Sequence, residues 1–293
     1  MTRLLELRNA APGADLVFGC SDFVSEVHAA NPGWLGALQS QPAERFVDRL
    51  PAPRPTSDLL AEGEDVFMRR LRVWRREELA RIAWRDLCGW ASVEETLRQL
   101  SDAADEAIRS ALAFARESLR PRFGLPRNER GEEVPFVVIG MGKLGGHELN
   151  FSSDIDLIFL FREHGDTDGP RSLANEEYFT RLGRLLIRLL DQRTEDGFTY
   201  RVDMRLRPFG DSGPLVASFD ALEDYLQSQG RDWERYAWVK ARAVTGAEAY
   251  ADLFANVVRP FVYRRYLDFG VFESLRDMKA MIEREVERRE LHD

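Results

Sequence analysis

Residues 135–161 read Pro135-Phe-Val-Val-Ile-Gly-Met-Gly-Lys-Leu-Gly-Gly-His-Glu-Leu-Asn-Phe-Ser-Ser-Asp-Ile-Asp-Leu-Ile-Phe-Leu-Phe161, two short apolar runs on either side of a glycine-rich segment. The runs at 135–140 and 155–161 have the length and composition of buried β-strands. The segment between them is too short for the helical crossover of a parallel pair, which takes about a dozen or more residues. The literal match of its glycines to a dinucleotide-binding fingerprint is therefore rejected.

The rest of the chain reads mainly as helix around this core. A third strand is predicted at 199–206 and an amphipathic helix at 175–191. The predicted domains are an irregular, short-helical segment (1–58), a helical segment (59–133), the core (134–216) and a C-terminal helical segment (217–293). The other predicted elements are short helices at 22–29 and 43–50, an extended linker at 51–56, and helices at 93–100, 104–119, 219–229, 233–243, 247–256 and from 270 onward. The fold class is α+β: a small mixed sheet, with a helix packed on it, flanked by helical segments on both sides.

Composition restricts the classes of function. The chain has 293 residues and a net charge of −9, which argues against sequence-independent nucleic-acid binding. It contains no apolar run of about 18 residues, so no membrane span is expected. Residues 1–9 carry charges where a signal peptide needs an apolar stretch, and two cysteines cannot form a disulfide framework. These features favour the cytoplasm.

Two aspartates open the second predicted strand. Residues i and i+2 of a strand project from the same face, so Asp154 and Asp156 are expected side by side. Like charges this close are unfavourable without a cation, and Mg²⁺ is the natural oxygen-liganded partner. The alternative interpretation is an exposed strand start with solvated acids.

The third predicted strand carries another acid. Its alternation places Val202, Met204 and Leu206 on one face, and the charged residues Arg201, Asp203, Arg205 and Arg207 on the other. If this strand lies beside the second, Asp203 completes a carboxylate trio that can hold two metal ions for displacement at phosphorus. Arg205 and Arg207 would then supply phosphate-binding forks. A surface strand with a charged outer face is the alternative.

The glycine segment is the candidate phosphate-binding loop. Gly142 and Gly145 allow close approach of backbone amides to phosphate, and Lys143 offers a point charge. Ser153, directly before the acids, is a further candidate contact. The alternative is an ordinary glycine-bearing turn. The charged residues of 231–240 are interpreted either as a solvated helix face or as a second wall of the cleft.

A strand, a glycine turn, Asp-x-Asp and a later third aspartate resemble the DNA polymerase beta nucleotidyltransferase superfamily. The amino-acid sequence is more closely similar to the glutamine synthetase adenylyltransferase/adenylyl-removing enzyme family. The similarity lies in residues 140–159, 196–216, 229–242 and 259–268. Two departures matter. The superfamily's Gly-Ser turn is here Gly140-Met141 or Gly142-Lys143, so a serine contact to phosphate is absent. The family's domain is also expected to continue past residue 293, which would leave out a wall of the site and a second domain.

The resemblance implies a function. The family carries two nucleotidyltransferase domains on one long chain, and the sequence of residues 150–154 is similar to the N-terminal, adenylyl-removing copy rather than to the C-terminal, adenylylating copy. This similarity implies Mg²⁺-dependent phosphorolysis of AMP from a tyrosine of glutamine synthetase, giving ADP. Asp154 and Asp156 would bridge two Mg²⁺ ions and Asp203 would hold one. The alternatives are ATP-dependent adenylylation of the same tyrosine and a non-catalytic regulatory module that binds nucleotide or the synthetase. The implied partners are adenylylated glutamine synthetase, phosphate, ADP and ATP, with the PII signalling protein acting through the longer family chain.

Overall fold

The architecture comes from a computed structural model, which describes residues 11–39 and 46–263 together with positions 276, 279, 280 and 284. The first helices are α1 (Ala14–Cys20), α2 (Asp22–Ala30), α3 (Gly33–Gln39), α4 (Ser57–Glu62), α5 (Glu64–Leu87) and α6 (Val93–Phe123). The core follows with β1 (Phe136–Gly140), α7 (Gly142–Gly145), β2 (Ile155–Phe161), α8 (Asn175–Asp191), β3 (Val202–Asp203), a 3₁₀ turn (Gly210–Ser212) and β4 (Val216–Ser218). The last elements are α9 (Phe219–Ser228), α10 (Asp232–Trp238), β5 (Arg242–Thr245), α11 (Ala247–Leu253), a π-helical turn (Phe254–Val258) and α12 (Arg259–Val262). The α+β prediction is confirmed.

The described strands form one mixed five-stranded sheet, in the order β3-β2-β1-β5 with β4 also paired to β2. β1 runs antiparallel to both β2 and β5. β3 and β4 run parallel to β2 along its other edge, β3 at the start of β2 and β4 at its end. This arrangement brings the start of β2 next to β3, where the predicted acids lie.

Each face of the sheet has its own apolar core, which explains why the two central strands read as continuous apolar runs. Val138 and Phe159 face one way, into a cluster shared with α6 and α8. Val137 and Ile158 face the other way, into a cluster shared with α9 and α11. Burial of one side chain of this size contributes about 1.5–3 kcal/mol to the free energy of folding. Because both faces of the two central strands are buried, these contributions hold β1 and β2 in the middle of the protein.

The helical layer before the sheet is more continuous than predicted. The two helices predicted at 93–100 and 104–119 are one helix, α6. The residues between them do not break it, because the Ser101 hydroxyl bonds back to the Leu97 carbonyl at 2.9 Å and Ala103 and Ala104 are buried. Ser92 caps the helix by accepting from the Glu95 backbone N–H at 3.2 Å.

The N-terminal helices pack on α5 around Trp84, whose indole N–H donates to the Pro12 carbonyl at 2.9 Å. α2 confirms the helix predicted at 22–29. The helix predicted at 43–50 is wrong over its described part, 46–50, which is not helical. There the Phe46 carbonyl accepts from buried Arg81 at 2.6 Å and the Leu50 N–H donates to Glu78 at 3.1 Å, so side chains of α5 hold an irregular backbone. The linker at 51–56 is non-helical, as predicted.

The C-terminal prediction needs two corrections. The helix predicted at 233–243 ends at Trp238, and Arg242–Thr245 is instead strand β5. Pairing with the open edge of β1 decides this, because tertiary pairing overrides a local helical preference. The helix predicted at 247–256 begins as α11 and changes to a π-helical turn at Phe254. The helix predicted from 270 falls almost entirely outside the described residues. Throughout the described ranges, no helix combines the length and apolarity needed to cross a bilayer.

Candidate functional site

The acids meet where β2 and β3 begin to pair. Asp156, the second residue of β2, has Asp203 of β3 as its cross-strand partner, and Asp154 lies just before β2. The predicted neighbourhood of these strands is therefore present. It arises because β3 is parallel to β2 and in register at only two residue pairs, Ile155 with Val202 and Asp156 with Asp203.

The electrostatics of the three acids differ. Partial burial raises the pKa of Asp156, and the charges of Asp203 and Asp154 raise it further, against the opposing effect of Arg205 and Lys143. The hydrogen bond from Arg205 instead lowers the pKa of Asp203. The ionised form of Asp156, the central acid, is therefore disfavoured by burial and by its two acidic neighbours, and a cation there would stabilise it.

The two outer acids are paired with arginines. Asp154 accepts a hydrogen bond from Arg201 Nε, and Arg201 Nη2 also donates to the Ser152 carbonyl at 3.3 Å. Asp203 accepts from Arg205 Nε at 2.8 Å, from Arg205 Nη2, and from the Arg205 backbone N–H at 2.9 Å. The pairing of Arg201 with Asp154 did not follow from the sequence, since the two residues are 47 positions apart.

The third strand is much shorter than the predicted 199–206. The Asp203 carboxylate accepts the Arg205 N–H and so turns the chain directly after β3. The predicted alternation holds as far as Met204, which is buried in the same cluster as Tyr200. It fails beyond that point, because Leu206 packs against the cluster on the opposite face of the sheet.

Arg207 lies on this turn rather than on a strand. Its side chain is 12 % exposed and donates to the Met204 carbonyl at 2.8 Å, with Asp211 at 3.4 Å. By contrast, the Arg205 side chain is 75 % exposed. Of the two arginines predicted to bind phosphate, Arg205 is the one in contact with an acid of the site.

The glycine segment contains the short helix α7 where only a turn was expected. Gly142 has a φ of +53°, and a Cβ there would lie 2.8 Å from Asp156 Oδ2. A Cβ at Gly145 would lie 2.1 Å from the Lys240 carbonyl oxygen. Both glycines are therefore required by close approach. The exposed Lys143 lies near enough to Asp156 to lower its pKa, and the Ser153 hydroxyl donates to Asn150 at 2.5 Å.

Arg242, which was not predicted from the sequence, holds the backbone of the glycine segment by hydrogen bonds. Arg242 of β5 donates to the carbonyls of Leu144 at 3.0 Å and Gly145 at 3.4 Å. It also forms two hydrogen bonds with Asp105, a buried acid of α6. The signal available in the sequence was Asp105 itself, a charge among the alanines 103, 104 and 107 of an amphipathic helix.

The residues fit a hard divalent cation by donor chemistry, since they are three neighbouring carboxylates and the charges of Asp154 and Asp203 both act on Asp156. Within the described ranges, however, no group of three His, Cys, Asp or Glu side chains is arranged to hold a metal ion. Asp154 and Asp203 are each hydrogen-bonded to an arginine instead.

A small mixed sheet with cross-strand acids beside a glycine turn is the nucleotidyltransferase type of α+β core. Residues 14–256 match the family model for glutamate-ammonia ligase adenylyltransferase, and the chain belongs to this family. The predicted family resemblance is confirmed.

Similar proteins of known name support the assignment. The chain is 48 % identical over 280 residues to a protein of Shewanella woodyi, covering 94 % of this chain and 29 % of that protein. It is 55 % identical over 233 residues to a protein of Thioalkalivibrio sulfidiphilus, covering 80 % of this chain and 24 % of that protein. Both are named bifunctional glutamine synthetase adenylyltransferase/adenylyl-removing enzyme. The chain thus spans less than a third of the length of these relatives.

Proposed function

We propose that this chain removes AMP from an adenylylated tyrosine of glutamine synthetase by phosphorolysis, giving ADP. The observation that carries the proposal is the cross-strand pair of Asp156 and Asp203, with Gly142 against the Asp156 carboxylate. The names of the two relatives, which include both adenylyl transfer and adenylyl removal, support the same chemistry.

The chain's own residues account for the binding of the reactants. Asp156, with Asp154 and Asp203, would hold Mg²⁺, which when bound supplies charge neutralisation at phosphorus and at the departing tyrosine oxygen. Gly142 leaves room for the Asp156 carboxylate close to the backbone, and Lys143 and Arg205 contribute positive charge beside this carboxylate, where a phosphate group would bind. Inorganic phosphate forms the new bond to phosphorus as the bond to the tyrosine oxygen breaks, and this oxygen takes a proton from solvent.

The direction of transfer rests on sequence. Residues 150–154 resemble the adenylyl-removing copy of the family, whereas the acids serve either direction equally well. The second candidate is therefore ATP-dependent adenylylation of the same tyrosine, which the bifunctional names of the relatives also support. A non-catalytic module that binds nucleotide or the synthetase is the third.

The direct test incubates the full chain with adenylylated glutamine synthetase, Mg²⁺ and inorganic phosphate, and measures ADP. We expect phosphate-dependent ADP release that falls on the order of 100-fold in Asp156→Asn. Asp224→Asn, at an exposed position of α9, is the matched control and should retain activity. Labelling of the unmodified synthetase from ATP, with no ADP release, would favour the second candidate. Nucleotide binding with neither reaction would favour the third.

The proposed reaction also implies a protein partner and a cellular compartment. We propose glutamine synthetase as the protein partner and the cytoplasm as the compartment, with no nucleic-acid or membrane partner. The net charge of −9 supports the exclusion of nucleic acid. Regulation by PII through the longer family chain stays a prediction.

A further inference from the structure

One five-residue segment neutralises both outer acids of the candidate site. Arg201, just before β3, bonds Asp154, and Arg205, just after β3, bonds Asp203 through two of its guanidinium nitrogens. The central acid, Asp156, lies between these two pairs. The arginines thus occupy the two carboxylates that a cation would need besides Asp156.

These ion pairs are of a kind that exchanges easily. The side chains of Arg201 and Asp154 are 59 % and 47 % exposed, whereas Arg205 is 75 % exposed and its partner Asp203 is 15 % exposed. Exposed ion pairs contribute little to stability and are screened by salt. A divalent cation that engages three carboxylates at once would therefore compete with both arginines, and more easily with the exposed pair of Arg201 and Asp154.

The guanidinium groups of Arg201 and Arg205, once displaced from the carboxylates, are suited to bind phosphate. A guanidinium fork binds a carboxylate and a phosphate with the same planar geometry. The Arg201 guanidinium lies at the edge of the site, where Nη2 also donates to the Ser152 carbonyl at 3.3 Å. An arginine released there lies beside the position at which a phosphate would meet the acids.

We propose that Arg201 and Arg205 are exchange residues. Each neutralises one outer carboxylate while the site holds no cation, and each moves to phosphate oxygens when the cation takes the carboxylates. Cation binding thereby prepares the phosphate site. This inference rests on the proposed function, because it uses the cation site of that proposal.

The test measures binding rather than turnover. Mn²⁺, a spectroscopic substitute for Mg²⁺, is titrated into the full chain at low ionic strength, with free Mn²⁺ followed by electron paramagnetic resonance. Arg201→Gln should bind Mn²⁺ two- to fivefold more tightly than the unmodified chain, because the competitor for Asp154 is gone. Arg201→Lys keeps the charge and the pairing and should restore the original affinity. The gain should shrink as salt is added.

A second titration adds inorganic phosphate at saturating Mn²⁺. Arg201→Gln should now bind phosphate at least fivefold more weakly, so one substitution changes the two affinities in opposite directions. The matched control is Arg181→Gln, which breaks an exposed arginine–carboxylate pair with Glu177 on α8 and should change neither affinity.

The outcomes separate this inference from the proposed function. If Mn²⁺ binding is present and Asp156→Asn abolishes it, but Arg201→Gln leaves the Mn²⁺ affinity unchanged or weaker, the exchange is overturned and the cation site stands. Loss of phosphate affinity without a gain in Mn²⁺ affinity also overturns it, because Arg201 would then be a phosphate ligand only. If the unmodified chain shows no Mn²⁺ binding that depends on Asp156, both proposals fail.

Discussion

Arg242 and Asp105 form a two-bond ion pair, with Nη1 2.7 Å from Oδ2 and Nη2 3.0 Å from Oδ1. The pair joins strand β5 to the middle of helix α6, residues that are 137 positions apart in the chain. Because the same guanidinium bonds the Leu144 carbonyl, the helical layer, the edge of the sheet and the glycine segment meet at one side chain.

Substitution of Arg242 should therefore unfold the chain more readily. Arg242→Gln leaves the carboxylate of Asp105, which is 3 % exposed, without its main partner, and we expect a loss of about 2–4 kcal/mol in the free energy of unfolding. Urea denaturation measures this loss. Arg109→Gln is the control, since Arg109 contacts the same carboxylate at 3.3 Å from a side chain that is 44 % exposed, and it should cost less than about 1 kcal/mol. Equal losses in the two variants would contradict the assignment.

Gly142 should be intolerant of any side chain. Gly142→Ala places an L-residue at a φ of +53° and a Cβ against Asp156, so it should cost about 1–2 kcal/mol in stability and also displace the acid. Gly131→Ala provides the comparison, because Gly131 has a φ of +79° with open space around the new Cβ. We expect similar melting temperatures for the two variants and a large loss of phosphate-dependent ADP release in Gly142→Ala alone. Full activity of Gly142→Ala would show that the acid adapts.

Asp156 should destabilise the folded chain at neutral pH. Its pKa is raised on folding, so its contribution to stability is present below the unfolded pKa of about 3.9 and is lost as pH rises through the folded pKa. In metal-free buffer, the stability of Asp156→Asn relative to the unmodified chain should therefore increase as the pH is raised above about 4. Urea denaturation across this pH range measures the difference, and a flat difference would be the contrary result.

Asp203 should show the opposite sign. Its pKa is lowered by the hydrogen bond from Arg205, so its contribution is present above about 3.9 and is lost as pH falls through the folded pKa. Asp203→Asn should then be the less stable protein at neutral pH, with the deficit closing in acid. The same denaturation series checks this prediction, and a deficit that grows in acid would contradict it.

Substitution of Arg205 and substitution of Arg207 should have different effects on stability and on phosphate use. Arg207 is largely buried and bonds the Met204 carbonyl, so Arg207→Ala should cost about 1 kcal/mol in the free energy of unfolding. Arg205→Ala removes an exposed side chain that bonds Asp203, so it should lower thermal stability less than Arg207→Ala does while weakening phosphate use. Thermal melts and phosphate titrations together measure both. A melt lowered only by Arg205→Ala would mean that the two side chains have exchanged roles.

The elements read most accurately from sequence are those with the strongest apolar pattern. The strand predicted at 155–161 is Ile155–Phe161, and the helix predicted at 175–191 is Asn175–Asp191. Burial on a fixed period determines both, so local sequence is sufficient. Strand β5 has four residues, of which Val244 alone is buried, and its strand state comes from pairing with β1.

The sequence predicted the aspartates of the candidate site but not the arginines that bond them. Strand alternation predicted the face of Asp203, with Asp203 near the other acids if the third strand lay beside the second, and the parallel pairing of Asp156 with Asp203 meets that condition. The pairing of Asp154 with Arg201 depends on how two segments meet in space, and the end of β3 depends on a side chain bonding its own backbone. The alternation of side chains along a strand predicts neither the contact between distant segments nor the residue at which the strand ends.

Strand β5 also bears on how this chain can be divided. It covers the outer edge of β1, and the helices that cover Val137 and Ile158 also follow residue 216. A fragment that retains the three acids but stops at residue 216 would have a bare strand edge and an uncovered apolar sheet face, the two features that lead isolated sheets to aggregate. The three acids and the elements that cover their sheet are therefore separate along the chain, and a minimal unit with a covered sheet has to extend beyond Thr245.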